Sequence, residues 1–127
     1  MTLQAGDAAE AAEYAAAYNG SSRFARYFQS RLYVVGEQLH ARRSGDLLDV
    51  GCGPGMLIRQ LVDSRPGDFK ITGLDHSAAV VNEAATRLHG TDVEIRIGLA
   101  ECLPFPMPAS TLYWRWGFLS TRTFPSR

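Results

Sequence analysis

Three glycines at alternate positions, Gly51, Gly53 and Gly55, follow an acid, Asp49, embedded in the apolar run Leu47-Leu48-Asp49-Val50. A second acid, Asp75, lies twenty residues beyond Gly55. Glycine has no Cβ to hold a ligand away from the main chain and adopts positive φ freely, so three in five residues let a flat molecule lie against the backbone. A carboxylate offers two oxygens to two vicinal hydroxyl donors, which suits Asp75, at the end of a strand, to a ribose. The chemistry implied is the seating of a nucleoside. The spacing is G-x-G-x-G, whereas the dinucleotide fingerprint is G-x-G-x-x-G and its last glycine would fall on Met56.

These residues need elements to hold them. Leu47 to Val50 reads as a short strand covered on both faces, and Met56-Leu57-Ile58 with Leu61-Val62 restarts the apolar pattern at helical spacing. The glycines therefore form the turn between strand and helix, where the helix's unpaired N–H groups point. Ser64 to Asp68 is a turn, and Phe69 to Leu74 is a second strand ending at Asp75. Ser77 caps a helix with Val80, Val81, Ala84, Ala85 and Leu88 on its apolar side, closed by His89-Gly90. Val93, Ile95 and Ile97 alternate in a third strand. Strand and helix in alternation predict a doubly wound parallel sheet.

Upstream, Phe24, Phe28, Leu32, Val35 and Leu39 mark an amphipathic helix over Arg23 to Ala41, closed by Arg42-Arg43-Ser44-Gly45. Tyr27, Tyr33 and the neighbouring arginines read as packing and solvated charge, not a nucleic-acid face. Ala5 to Tyr18 is alanine-rich with acids early, which predicts a terminal helix. It is either loosely attached or a cap that brings Tyr14 or Tyr18 over the ligand.

Composition narrows the field. The chain of 127 residues suits one small domain, and 46% hydrophobic residues suffice for a core. Thirteen basic and thirteen acidic side chains balance, which argues against a surface that works by neutralising many phosphates. Cys52 and Cys102 stand about fifty positions apart with no histidine at ligand spacing, so neither a zinc site nor a disulfide framework is indicated. Two free thiols, no basic leader and no long apolar run predict a cytoplasmic protein without a membrane segment.

Leu48 to Gly55 reads L-D-V-G-C-G-P-G and resembles motif I of the class I S-adenosylmethionine-dependent methyltransferases. The resemblance implies an α/β, Rossmann-like doubly wound parallel sheet. Here it would be incomplete, with N-terminal helices and the first three strands of a seven-stranded fold. It implies S-adenosyl-L-methionine as cofactor, with Asp49 and the backbone of Gly51, Gly53 and Gly55 flanking its methionine part and Asp75 on the ribose. His76 then lies near the adenine or is an exposed loop histidine. Gly98 to Pro106 resembles a second family motif, G-D-A-x-x-L-P-F, whose acid and following N–H hold the adenine edge. Leu99 stands where that acid belongs, leaving Ala100, through its backbone, and Glu101 as the expected contacts. Loss of the amino-group acceptor costs about 1 to 3 kcal/mol. The implied activity is methyl transfer to an unidentified acceptor, a small molecule, with no catalytic residue or metal indicated. The alternatives are an inactive truncated relative and a fragment that acts by binding a partner.

The resemblance divides the chain into an N-terminal helical segment (1–43), a cofactor-binding part (44–106) and a tail (107–127) that departs from the family wording. The tail holds Arg115, Arg122 and Arg127 and no acid. Codons formed from the third base of each residue and the first two of the next are partly forced by the genetic code. Met107-Pro108 gives Ala, Tyr113-Trp114 gives Leu, Trp116-Gly117 gives Gly, and Arg115-Trp116 gives Leu, Val or Met. The remaining positions permit Asp-Ala-Ser-Phe-Asp-Val-Val-Leu-Ala-Leu-Gly, the family wording for its fourth strand. Residues 107–127 are therefore expected to be out of frame and unlike a strand. The first strand would then keep an open edge that invites self-association.

Overall fold

The computed structural model describes residues 9, 23–99, 101–103, 106, 111–115 and 118–120. Five strands, β1 (Gly45–Val50), β2 (Phe69–Asp75), β3 (Glu94–Ile97), β4 (Leu112–Arg115) and β5 (Phe118–Ser120), form one sheet in the order β3-β2-β1-β4-β5. β1 is central, pairing in parallel with β2 from Gly45↔Phe69 to Val50↔Leu74 and with β4 from Leu47↔Leu112 to Asp49↔Trp114. β3 extends the parallel set beyond β2, and β5 folds back antiparallel on β4. The first and second predicted crossovers are the helices α2 (Met56–Ser64) and α3 (Ala78–Arg87). Ser77 caps α3 as its side chain suggests, accepting from Val80 N at 3.4 Å.

Leu47, Ile71, Leu112 and Trp114 of the sheet pack with Leu57, Ile58 and Leu61 of α2 in a single core. Helix α1 (Arg23–His40) adds Val35 and Leu39, both fully buried, with Leu32 against them. The period that predicted this helix thus faces the core, while Tyr33 is exposed. The side chains of Phe24, Tyr27 and Phe28, and the expected helix with Tyr14 and Tyr18, lie outside the described residues. Gly45 opens β1 and does not close α1. The end of α1 is satisfied instead by Arg42 N on Leu39 O at 2.9 Å and by the Arg65 guanidinium, whose Nη1 donates to Leu39 O at 2.7 Å.

The tail corrects the expectation of three strands. Leu112 to Arg115 is a strand on the edge of β1 that was to stay open, and Phe118 to Ser120 is a second one beside it. Leu112 and Trp114 alternate into the core, at 2% and 5% exposure, and this period of two meets the need of β1 for a partner. The free edges of the sheet are consequently those of β3 and β5. Among the described residues no helix is long and apolar enough to cross a membrane.

Candidate ligand site at the carboxyl edge of the sheet

The strand-to-helix turn is folded by its glycines. Gly51, Gly53 and Gly55 have φ of 72°, 57° and 82°, a region that other residues occupy at a cost. Gly55 is doubly constrained, because a Cβ there would stand 3.1 Å from Leu88 Cδ1. Gly51 N and Cys52 N both donate to Leu74 O, at 2.7 and 3.0 Å, so the turn hangs from the end of β2. Gly55 is also the N-cap of α2 and supplies no side-chain bond to that helix. The first N–H groups of α2 thereby lack a side-chain cap at the loop.

Asp75 ends β2 and faces this turn. Its Oδ2 accepts from Gly53 N at 3.1 Å and its Oδ1 from Ser77 N at 3.0 Å. A carboxylate has about four acceptor sites, more than these two bonds use. Its side chain is 10% exposed, whereas that of His76, with Nδ1 3.5 Å from Asp75 Oδ1, is 79% exposed. His76 thus stands exposed beside Asp75, touching it at one nitrogen.

Asp49 is buried at 2% exposure in β1, level with Gly73 of β2 and Trp114 of β4. Its charge is felt at Cys52, whose thiol is pushed up well beyond the usual range, first by burial and then by the carboxylates of Asp49 and Asp75. Cys52 therefore stays a protonated, packing residue. Its Sγ donates to Gly53 O at 3.5 Å.

Beyond β3, Gly98 N donates to Asp75 O at 3.0 Å and ties the next segment to the same edge. Leu99 is exposed and closes a small turn with Cys102, Cys102 N donating to Leu99 O at 3.1 Å. Glu101 is exposed within that turn. Ala100 lies outside the described residues. The structure therefore gathers Asp49, Gly51, Gly53, Gly55, Asp75 and His76 at one edge, with the Glu101 turn attached through Gly98.

Two contributors escaped the sequence reading. Gly73 in mid-strand leaves room under the loop, since a Cβ there would lie 2.8 Å from Ile95 Cδ1, 2.9 Å from Ile58 Cδ1 and 3.1 Å from Cys52 Sγ. A glycine inside a strand pattern signals such a close approach. Arg87, in the last turn of α3, donates from Nη1 to Pro54 O at 2.8 Å. No spacing rule links those two positions.

A glycine turn after the central strand and an acid ending its neighbour define a nucleoside-binding α/β protein of the doubly wound type. The profile of the methyltransferase-domain family matches residues 47–121. The chain belongs to that family, the class I S-adenosylmethionine-dependent methyltransferases. It is 37% identical over 73 residues to an uncharacterized methyltransferase, YdaC, of Bacillus subtilis, a match that covers 58% of this chain and 39% of that protein. Its fold is similar to a candidate S-adenosyl-L-methionine-dependent methyltransferase from Methanococcus maripaludis, with a TM-score of 0.61 and 20% identity over 82% of this chain and 47% of the other. A methyltransferase from Geobacter sulfurreducens in complex with S-adenosyl-L-homocysteine matches with a TM-score of 0.51 and 20% identity, over 66% and 35% of the two chains. The chain spans less than half the length of each of these proteins.

Proposed function

We propose that this chain binds S-adenosyl-L-methionine at the carboxyl edge of β1 and β2 and serves methyl transfer to a small-molecule acceptor. The observation that carries the reading is Asp75, a half-buried carboxylate bonded to Gly53 N across the glycine turn with acceptor capacity to spare. In this reading Asp75 takes the ribose hydroxyls and the glycine backbone lies along the methionine part. The uncapped first turn of α2 attracts the methionine carboxylate. The cofactor supplies an activated methyl on a sulfonium, and the protein's part is to align an acceptor with it and keep water out. Asp49, buried in β1 just before the loop, would flank the methionine part.

A second reading is that the chain acts by binding alone. The chain would bind the cofactor, or a protein partner, without transferring the methyl group. Calorimetric titration of the purified chain with S-adenosyl-L-methionine, followed by methyl transfer assays on acceptor mixtures, separates the two. Binding with transfer supports the first reading, and binding without transfer the second. No binding refutes the cofactor assignment in both. Asp75→Ala should weaken binding by about 1.5 to 3 kcal/mol, since it removes a charged acceptor that serves two hydroxyls. Asp75→Asn, which keeps one oxygen, should lose less, and equal affinity in all three proteins would sink the ribose assignment.

A further inference from the structure

We propose that Arg87 is a positioning residue for the glycine loop, fixing the Pro54 carbonyl and with it the peptide whose Gly55 N–H closes the turn on Cys52 O at 3.2 Å, so that the loop keeps the shape that receives the ligand. The inference rests on the reading of this loop as the cofactor's seat. Its basis is an acceptor that the helix cannot serve. Gly55 O is the first acceptor of the α2 ladder, bonded by Arg59 N at 2.9 Å, so Pro54 O lies one residue too early to receive a helical donor. Pro54 is fully buried, and a buried carbonyl requires a partner. Arg87 Nη1 provides it at 2.8 Å, across thirty-three residues of sequence.

Arg87 is itself held in place. Its carbonyl accepts from Arg59 Nη1 at 3.5 Å, and the same Arg59 is paired with Asp63 one turn further along α2. Arg59 of α2 thus holds a carbonyl of α3, and Arg87 of α3 holds a carbonyl of the loop. Opposite them, Asp75 takes the Gly53 N–H at 3.1 Å. A carboxylate on the Gly53 N–H and a guanidinium on the Pro54 carbonyl clamp one stretch of backbone from two directions. The bland alternative is that Arg87 merely complements the negative end of α3, which any cation in that turn would do.

Two substitutions in the full chain separate these roles. Arg87→Met keeps the aliphatic stem and removes the donors, and Arg87→Lys keeps the charge and one donor group. Hydrogen exchange on the ligand-free protein should show the Gly53 and Gly55 amides of Arg87→Met opening about ten-fold faster, with β1 and β2 amides unchanged. Affinity for S-adenosylhomocysteine should fall about ten-fold in Arg87→Met and recover in part in Arg87→Lys. Unchanged exchange at Gly53 and Gly55, or faster exchange spread evenly over β1 and β2, would overturn the assignment. If the unaltered chain fails to bind S-adenosylhomocysteine, the proposed function falls, and the exchange data still decide the role of Arg87.

Discussion

Cys52 stands in the middle of the ligand turn, yet its thiol is the least reactive kind. Burial and the nearby charges of Asp49 and Asp75 raise its pKa far above that of the same thiol in the unfolded chain. The folded state therefore keeps this proton while the unfolded state releases it above about pH 8.5. The native state then binds more protons than the unfolded one, so stability is full below that pH and falls as pH rises, by up to about 1.4 kcal/mol per unit. Melting curves between pH 8 and 10.5 should show this loss, and Cys52→Ser should flatten it. Alkylation of the native protein at pH 8 should mark the exposed Cys102 and spare Cys52, as peptide mass mapping would read. At this scale most of the site was legible, because Asp49, the three glycines and Asp75 lie in one short motif and one strand end. Gly73 and Arg87 were not, since each acts through an atom that is distant in sequence: Ile95 Cδ1 for one, Pro54 O for the other.

Helix α1 is joined to the sheet by packing and by one side chain from another element. Arg65, at the end of α2, donates to Leu39 O and to Arg42 O, pairs with Asp68 through Nε at 2.8 Å, and lies over the Phe69 ring at 4.6 Å. It closes α1 where a glycine was expected to do so. Arg65→Met keeps the stem over Phe69 but removes the guanidinium from Leu39 O and Arg42 O, leaving Leu39 O with Arg42 N alone. Urea unfolding should show a loss of about 1 to 2 kcal/mol, with α1 amides opening first. A loss spread equally over all elements would show that the bonds are incidental to α1. The three described helices and the first three strands were legible from periods of 3.6 and 2 and from caps such as Ser77. β4 was not, because four residues give a weak alternation, and Leu112 and Trp114 were weighed by their departure from the family wording. Pairing with β1 overrides that departure: the central strand takes the nearest apolar alternation offered to its edge.

Across the whole molecule the sheet runs parallel from β3 to β4 and then turns back at β5, where a doubly wound fold would continue in parallel after another helix. The reversal falls within the stretch where the charge pattern changes, since residues 107–127 contain three arginines and no acid. The family profile reaches residue 121, past the departure from the family wording expected after Pro106. We predict that the gene, read one base earlier from the Pro106 codon onward, remains open well past the Arg127 codon. The forced readings Ala, Leu and Gly, and the apolar choice at Arg115-Trp116, fall in the order of the family's fourth strand. That frame would supply roughly another hundred residues, the ordinary length of a single domain, and replace the β4–β5 hairpin by a strand with a crossover helix. The completed sheet should bind S-adenosylhomocysteine more tightly and melt at a higher temperature, because cofactor and added strands stabilise the same native state. Sequencing the gene through the Pro106 codon tests the frame directly. A stop codon soon after it in the alternative frame would refute the prediction.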